Sequence, residues 1–115
     1  MKESNEGKEM IDVNDYQIKA MSYRMPTANT TYALMNLAGE AGEVLSLSAK
    51  FIRDGDMYPE DYRSAMKKEL GDVLWMVAAI AKDNGLLLSD ICRANLDKLE
   101  SRKRRNVISG SGDDR

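Results

Sequence analysis

Apolar residues recur at helical spacing in four stretches of the chain. The first opens at Asn14-Asp-Tyr-Gln17, where Asn14 supplies an N-cap acceptor, Gln17 stands at N3, and Val13 and Ile18 take the flanking staple positions. Ile18, Met21 and Met25 continue it as far as Pro26, which disfavours helical backbone at the residue before it. A second series, Leu34, Leu37, Ala38, Ala41, Leu45, Ala49 and Ile52, ends at Asp54-Gly55, a helix C-terminal signal. It predicts a helix of roughly 24 residues, about 36 Å long. A third opens near Pro59, whose missing N–H is harmless at N1, with Glu60 and Asp61 at the positive end of the helix dipole. Tyr62, Met66, Leu70, Val73, Leu74, Val77 and Ile80 carry it to Asn84-Gly85. The fourth follows Ser89, a competent N-cap, and runs through Ile91, Leu96 and Leu99 into the basic stretch Arg102 to Arg105.

No Val/Ile/Thr-rich alternation and no internal repeat accompany these series. The pattern predicts an all-α fold, a four-to-five-helix bundle with two long antiparallel helices. Residues 1–11 read as a flexible lead-in, 12–106 as the helical domain and 107–115 as a flexible tail of small polar residues.

At 115 residues the chain has room for one domain and one site. It contains no histidine, which removes the commonest general base, the commonest zinc ligand and every Ser-His or Cys-His pair. Cys92 is the only cysteine, so neither an internal disulfide nor a thiolate metal cage can form and a cytoplasmic setting is expected. The net charge of -2 and pI near 5.2 disfavour bulk nucleic-acid binding. Val73 to Ala81, the longest apolar stretch, is about half of a bilayer span. The eight methionines read as core filler rather than a ligand set.

Chemistry concentrates on the two long helices. Glu40 and Glu43 stand three residues apart, about 60° around the helix axis, and Glu69 and Asp72 repeat the spacing. Antiparallel packing would bring the two acidic pairs together. Gly39, Gly42 and Gly71 adjoin these carboxylates inside helical segments, each costing roughly 1 kcal/mol relative to alanine. A solvated acidic stripe gains nothing from that, whereas close approach of a helix or a ligand does. Partly buried carboxylates repel one another unless a cation neutralises them, and Mg²⁺ or Mn²⁺ takes oxygen ligands and bridges phosphates. Asn95, Lys98 and Arg102 fall on one stripe of the fourth helix and suit phosphate, as does Lys50, two turns beyond Glu43. Trp75 and Met76 could stack on a base or pack in the core, and Tyr16 offers a polar tip.

Glu40-x-x-Glu43, 25 intervening residues and Glu69-x-x-Asp72 resemble the metal signature of the all-α nucleoside triphosphate pyrophosphohydrolases, the MazG-like family. The likeness extends to the Asp15-Tyr-Gln17 opening, to Leu37-Ala-Gly-Glu-Ala-Gly-Glu-Val44, to Lys68-Glu-Leu-Gly-Asp-Val-Leu-Trp75, and to Ala94-Asn-Leu-Asp-Lys-Leu99 followed by Arg102. It implies Mg²⁺-dependent hydrolysis of a ribo- or deoxyribonucleoside triphosphate to monophosphate and pyrophosphate, as in nucleotide-pool clean-up. Glu40, Glu43, Glu69 and Asp72 would ligate the metal, and Asn95 and Lys98 would contact the phosphates. A metal-activated water would attack, with Glu40 or Glu43 helping to take its proton. Many members carry two adjacent glutamates at the start of the first motif, whereas Gly39 stands at the first of those positions here. The resemblance also implies a homodimer or tetramer, and two helices of about 36 Å in a chain whose compact radius of gyration is about 13 Å are compatible with that. Gly110-Ser-Gly-Asp113 resembles the tail of one subset of the family.

Three other readings remain open on the residues alone. A non-enzymatic dimeric helical adaptor would show no specific Mg²⁺ dependence. A same-fold hydrolase of another phosphorylated metabolite would differ in its products. Nucleic-acid binding by Arg102 to Arg105 would weaken steeply with salt.

Overall fold

A computed structural model describes residues 9–55 and 57–115. The first eight residues of the expected lead-in lie outside them. Four helices follow in order: α1 (Val13–Met21), α2 (Thr30–Asp54), α3 (Pro59–Asp83) and α4 (Leu88–Arg104). No strand occurs among the described residues. The all-α expectation holds, and of the four or five helices expected, four occur among the described residues.

Helix α2 ends, and α3 begins and ends, where the sequence signals stand. Asn29 caps α2 by accepting the Tyr32 N–H, and Gly55 closes it at φ 62°, the left-handed region that glycine adopts without strain. Pro59 is the first residue of α3. The two helices form an antiparallel hairpin whose register is read from its cross-contacts. Asn36 meets Met76 near the open end, and Phe51 stacks on Tyr62 near the connection, with ring centroids 4.2 Å apart. The Tyr62 hydroxyl is also 2.8 Å from Ser48 Oγ.

The short helices differ from expectation at their ends. Asp12, not Asn14, caps α1, accepting the Asn14 and Asp15 N–H groups at 2.8 and 3.1 Å. Helix α1 stops at Met21, well before Pro26, in a turn where the Ser22 hydroxyl bonds the Lys19 carbonyl. The connection is fixed by Arg24, which donates to the Ala28 carbonyl at 2.6 Å and pairs with Asp83 of α3 at 2.8 Å. Ile18 and Met25, expected to face the core, are exposed.

Gln17 is not a capping-box residue. Its buried amide donates to the Leu86 and Ala78 carbonyls at 3.0 and 3.3 Å and accepts the Leu88 N–H at 3.0 Å. Asn14 accepts the Ser89 N–H at 3.0 Å and donates to the Ser89 hydroxyl. Helix α4 therefore starts two residues earlier than a Ser89 cap would allow, with its first amides capped by two side chains of α1 rather than by its own flank.

The core is small and built mostly of small side chains. Ala78, Ala81 and Leu88 form its centre, with Tyr16, Met21, Val77 and Ile91 packed around them. Helix α4 thus packs along α1 and meets α3 at its own first turn. Much of the predicted apolar face of the hairpin is uncovered: Leu34, Leu45, Ile52, Leu70 and Leu74 are exposed.

Candidate functional site

The hairpin register brings both acidic motifs to one place. Carboxylate oxygens of Glu40, Glu69 and Asp72 lie within 4.8 Å of one another, with both glutamates half-buried and Asp72 exposed. Glu43, one turn further along α2, is exposed and outside this trio. Its i+3 spacing from Glu40 rotates it toward the solvent edge of the hairpin.

Three surrounding features refine the site. Asn36, which the sequence reading passed over, donates to Glu40 Oε1 at 3.3 Å. A signal for it existed: a polar residue four positions before Glu40 on the inward stripe of α2. Tyr16 reaches the site from α1, its phenol pKa pushed up by burial and then by the Asp72 charge. A Cβ at Gly42 or Gly71 would meet nothing within 4 Å, so neither glycine serves a close helix approach within the chain.

Trp75 and Met76 differ in burial. Met76 is buried. Trp75 is half-buried, donates its indole N–H to the Ala20 carbonyl at 3.1 Å, and borders two cavities. One, about 470 Å³, is walled by Tyr16, Tyr23 and Trp75 with Asp15 and Lys19 at its rim, and the other, about 420 Å³, by Tyr23, Tyr32 and Trp75. Neither these nor a third cavity, about 480 Å³ between α1 and the α3–α4 turn, is lined by a carboxylate of the trio.

The expected phosphate-binding residues are not gathered on the trio within one chain. Lys50 is exposed on α2, two turns beyond Glu43, and Asn95 is exposed on α4. Lys98 pairs with Asp113 at 3.3 Å. Arg102 is only 5% exposed, because residues 107–115, the expected flexible tail, fold back over it. Its Nη2 donates to the Asp113 and Gly112 carbonyls at 2.8 and 3.4 Å, while its buried Nε has no hydrogen-bond partner among the described residues. Arg115 closes the loop by donating to the Val107, Ile108 and Gly112 carbonyls. Hydrogen bonding to Lys98, with its charge and that of Arg102, holds the Asp113 carboxyl below the usual range.

A family model described as "MazG nucleotide pyrophosphohydrolase domain" matches residues 28–107, a span that contains the trio, Glu43, Lys50 and the α4 stripe. The chain is also 45% identical over 86 residues to "Gene 37 protein" of Mycobacterium phage L5, covering 74% of this chain and 75% of that protein. No solved structure matches significantly.

Proposed function

The chain belongs to the MazG nucleotide pyrophosphohydrolase family, and from that premise we propose that it hydrolyses a nucleoside triphosphate to the monophosphate and pyrophosphate with Mg²⁺ or Mn²⁺ as cofactor. The observation that carries this reading is the convergence of Glu40, Glu69 and Asp72 from two helices. Three carboxylates within 4.8 Å repel one another, and an all-oxygen donor set on one open face fits a hard divalent cation. Such a cation, when bound, supplies charge neutralisation on the phosphates and lowers the pKa of a coordinated water.

The chain's own groups supply the rest. Glu43 belongs to the same acidic face without belonging to the trio, and we assign it to completing the ligand set or to taking the proton of the attacking water. Lys98 and Arg102, now held by the tail, would contact the phosphates once those displace Asp113, and Asn95 and Lys50 would extend the polar rim. The aromatic cavity beside Trp75 and Tyr16 suits a planar base, and its Tyr16 feels the charge of Asp72.

Self-association is part of the proposal. A radius of gyration of 17.0 Å, against about 13 Å for a compact chain of this length, leaves apolar side chains such as Leu45 and Ile52 71% and 81% exposed. A second copy packed on the hairpin, as a dimer or within a tetramer, would cover them and bring a second α4 within reach of the acidic face. No described helix is long and apolar enough to cross a membrane. Action on soluble nucleotides in the cytoplasm follows as part of the same reading.

The test is a panel of ribo- and deoxyribonucleoside triphosphates with Mg²⁺, with and without EDTA, resolving pyrophosphate from orthophosphate. Metal-dependent pyrophosphate with monophosphate is the expected result. Orthophosphate alone would place the cleavage at a different phosphoryl bond, and absence of any metal-dependent product would sink the assignment.

A further inference from the structure

Asn36 lies one turn before Glu40 on the face of α2 that meets α3. Its Nδ2 is 3.3 Å from Glu40 Oε1, 3.3 Å from the Tyr32 hydroxyl and 3.9 Å from Met76 Sδ, so the donor side of the amide is turned toward the carboxylate. The acceptor side leans over Gly39: a Cβ there would stand 3.2 Å from Asn36 Oδ1, closer than ordinary van der Waals contact. A side chain at position 39 would therefore push the Asn36 amide back by a few tenths of an ångström from its observed pose. That gives a physical reason for glycine at this position, where helix propensity alone would favour alanine.

The amide opposes a specific tendency. With no cation bound, like charge drives Glu40 away from Glu69 and Asp72, and its long side chain has the freedom to splay into solvent. A neutral donor that engages one carboxylate oxygen resists this, and leaves the second oxygen and its lone pairs for a cation. Partners of this kind orient ligating carboxylates, and their removal commonly weakens metal binding by about 10- to 100-fold.

We infer that Asn36 is a positioning residue that holds Glu40 in its cation-ready orientation, and that Gly39 clears the space in which Asn36 does so. The inference rests on the cation site proposed above. Asn36 need touch neither substrate nor the reacting atoms; it acts through Glu40.

The experiment is titration of the full-length protein with Mn²⁺, following the EPR signal of the free ion, with thermal melts of each variant in EDTA. Asn36→Leu is expected to raise the Mn²⁺ Kd about tenfold without lowering the melting temperature in EDTA. Gly39→Ala is expected to raise both, since alanine favours the helix while its methyl displaces Asn36. Stability and metal affinity then move in opposite directions, which a merely structural role would not produce. Kd values within twofold of wild type in both variants would overturn the inference. If Asn36→Leu does not fold, Asn36→Ala and Gly39→Ala carry the same comparison. Wild type and Glu40→Gln separate the two levels: no saturable Mn²⁺ binding by wild type, or undiminished binding by Glu40→Gln, overturns the underlying cation site and the inference with it.

Discussion

Gln17 Oε1 accepts the Leu88 backbone N–H at 3.0 Å, so a side chain of α1 caps the first turn of α4 across 71 residues of sequence. The same amide donates to the Leu86 carbonyl, locking the α3–α4 turn to α1. Gln17→Leu removes all of these bonds at a site only 5% exposed and leaves the Leu88 N–H buried without a partner. A loss of about 2–3 kcal/mol is expected from urea unfolding at fixed protein concentration. Gln17→Glu keeps the acceptor but turns charge toward two carbonyls, so it should be more destabilising at pH 7 than at pH 4. Wild-type stability in both variants would mean that the cap is dispensable.

Arg24 and Asp83 pair in parallel at 2.8 and 2.9 Å, tying the α1–α2 connection to the end of α3. The hydrogen bonds and charge of Arg24 hold the Asp83 carboxyl below the usual carboxylate range. A carboxyl with a lowered folded-state pKa contributes stability that is complete above its unfolded value, near 3.9, and is lost as pH falls through the folded value. The melting temperature of wild type should therefore exceed that of Asp83→Asn by a constant amount above about pH 5, with the gap closing below about pH 4. A gap that persists unchanged into that acid range would show that the pair does not titrate as argued.

These two links also mark what was legible in the sequence and what was not. Gly55 and Pro59 act through the backbone of their own segments, so the ends of the long helices and the meeting of Glu40 with Glu69 and Asp72 follow from local signals and hairpin register. Asn14 and Gln17 have a local capping pattern, yet their amides engage α4 and the α3–α4 turn, because the buried start of α4 offers unsatisfied N–H groups, whereas Asp12 already accepts those of α1. The apolar stripe of Leu34, Leu45 and Ile52 is read correctly as amphipathic, but no spacing rule tells whether its cover comes from the same chain. Arg102 has the position of a phosphate contact on its stripe, and only the folded tail reveals that Asp113 and Gly112 hold it.

That uncovered stripe sets the third expectation. Light scattering after size exclusion should give a mass that is a multiple of the 12.9 kDa chain. Leu45→Asp with Ile52→Asp, both at exposed positions, should shift the assembly toward the monomer while far-UV circular dichroism stays helical. A monomeric wild type at micromolar concentration would remove self-association from the proposal.

The tail makes its own prediction. Asp113 neutralises Lys98 from a largely exposed position, so on the proposed reading a phosphate would compete with it. Asp113→Ala should lower KM for the triphosphate roughly two- to fivefold with kcat little changed, the size of effect typical of an exposed ion pair. Lys98→Ala should raise KM in either tail background. An unchanged KM in Asp113→Ala would mean that the tail leaves Lys98 available as it stands.

The carboxylates themselves divide by what each loses. Glu69→Gln and Asp72→Asn take charge from the trio and should weaken Mn²⁺ binding together with turnover, each lowering kcat/KM by about 100-fold or more. Glu43 stands outside the trio, so Glu43→Gln is the informative case. It should nearly abolish turnover with the helical fold intact. Wild-type Mn²⁺ affinity in that variant would assign Glu43 to the proton of the attacking water, whereas a parallel loss of affinity would make it a ligand. Turnover at wild-type rates would remove Glu43 from the site altogether, leaving Glu40 as the carboxylate of the first motif to be tested for proton transfer.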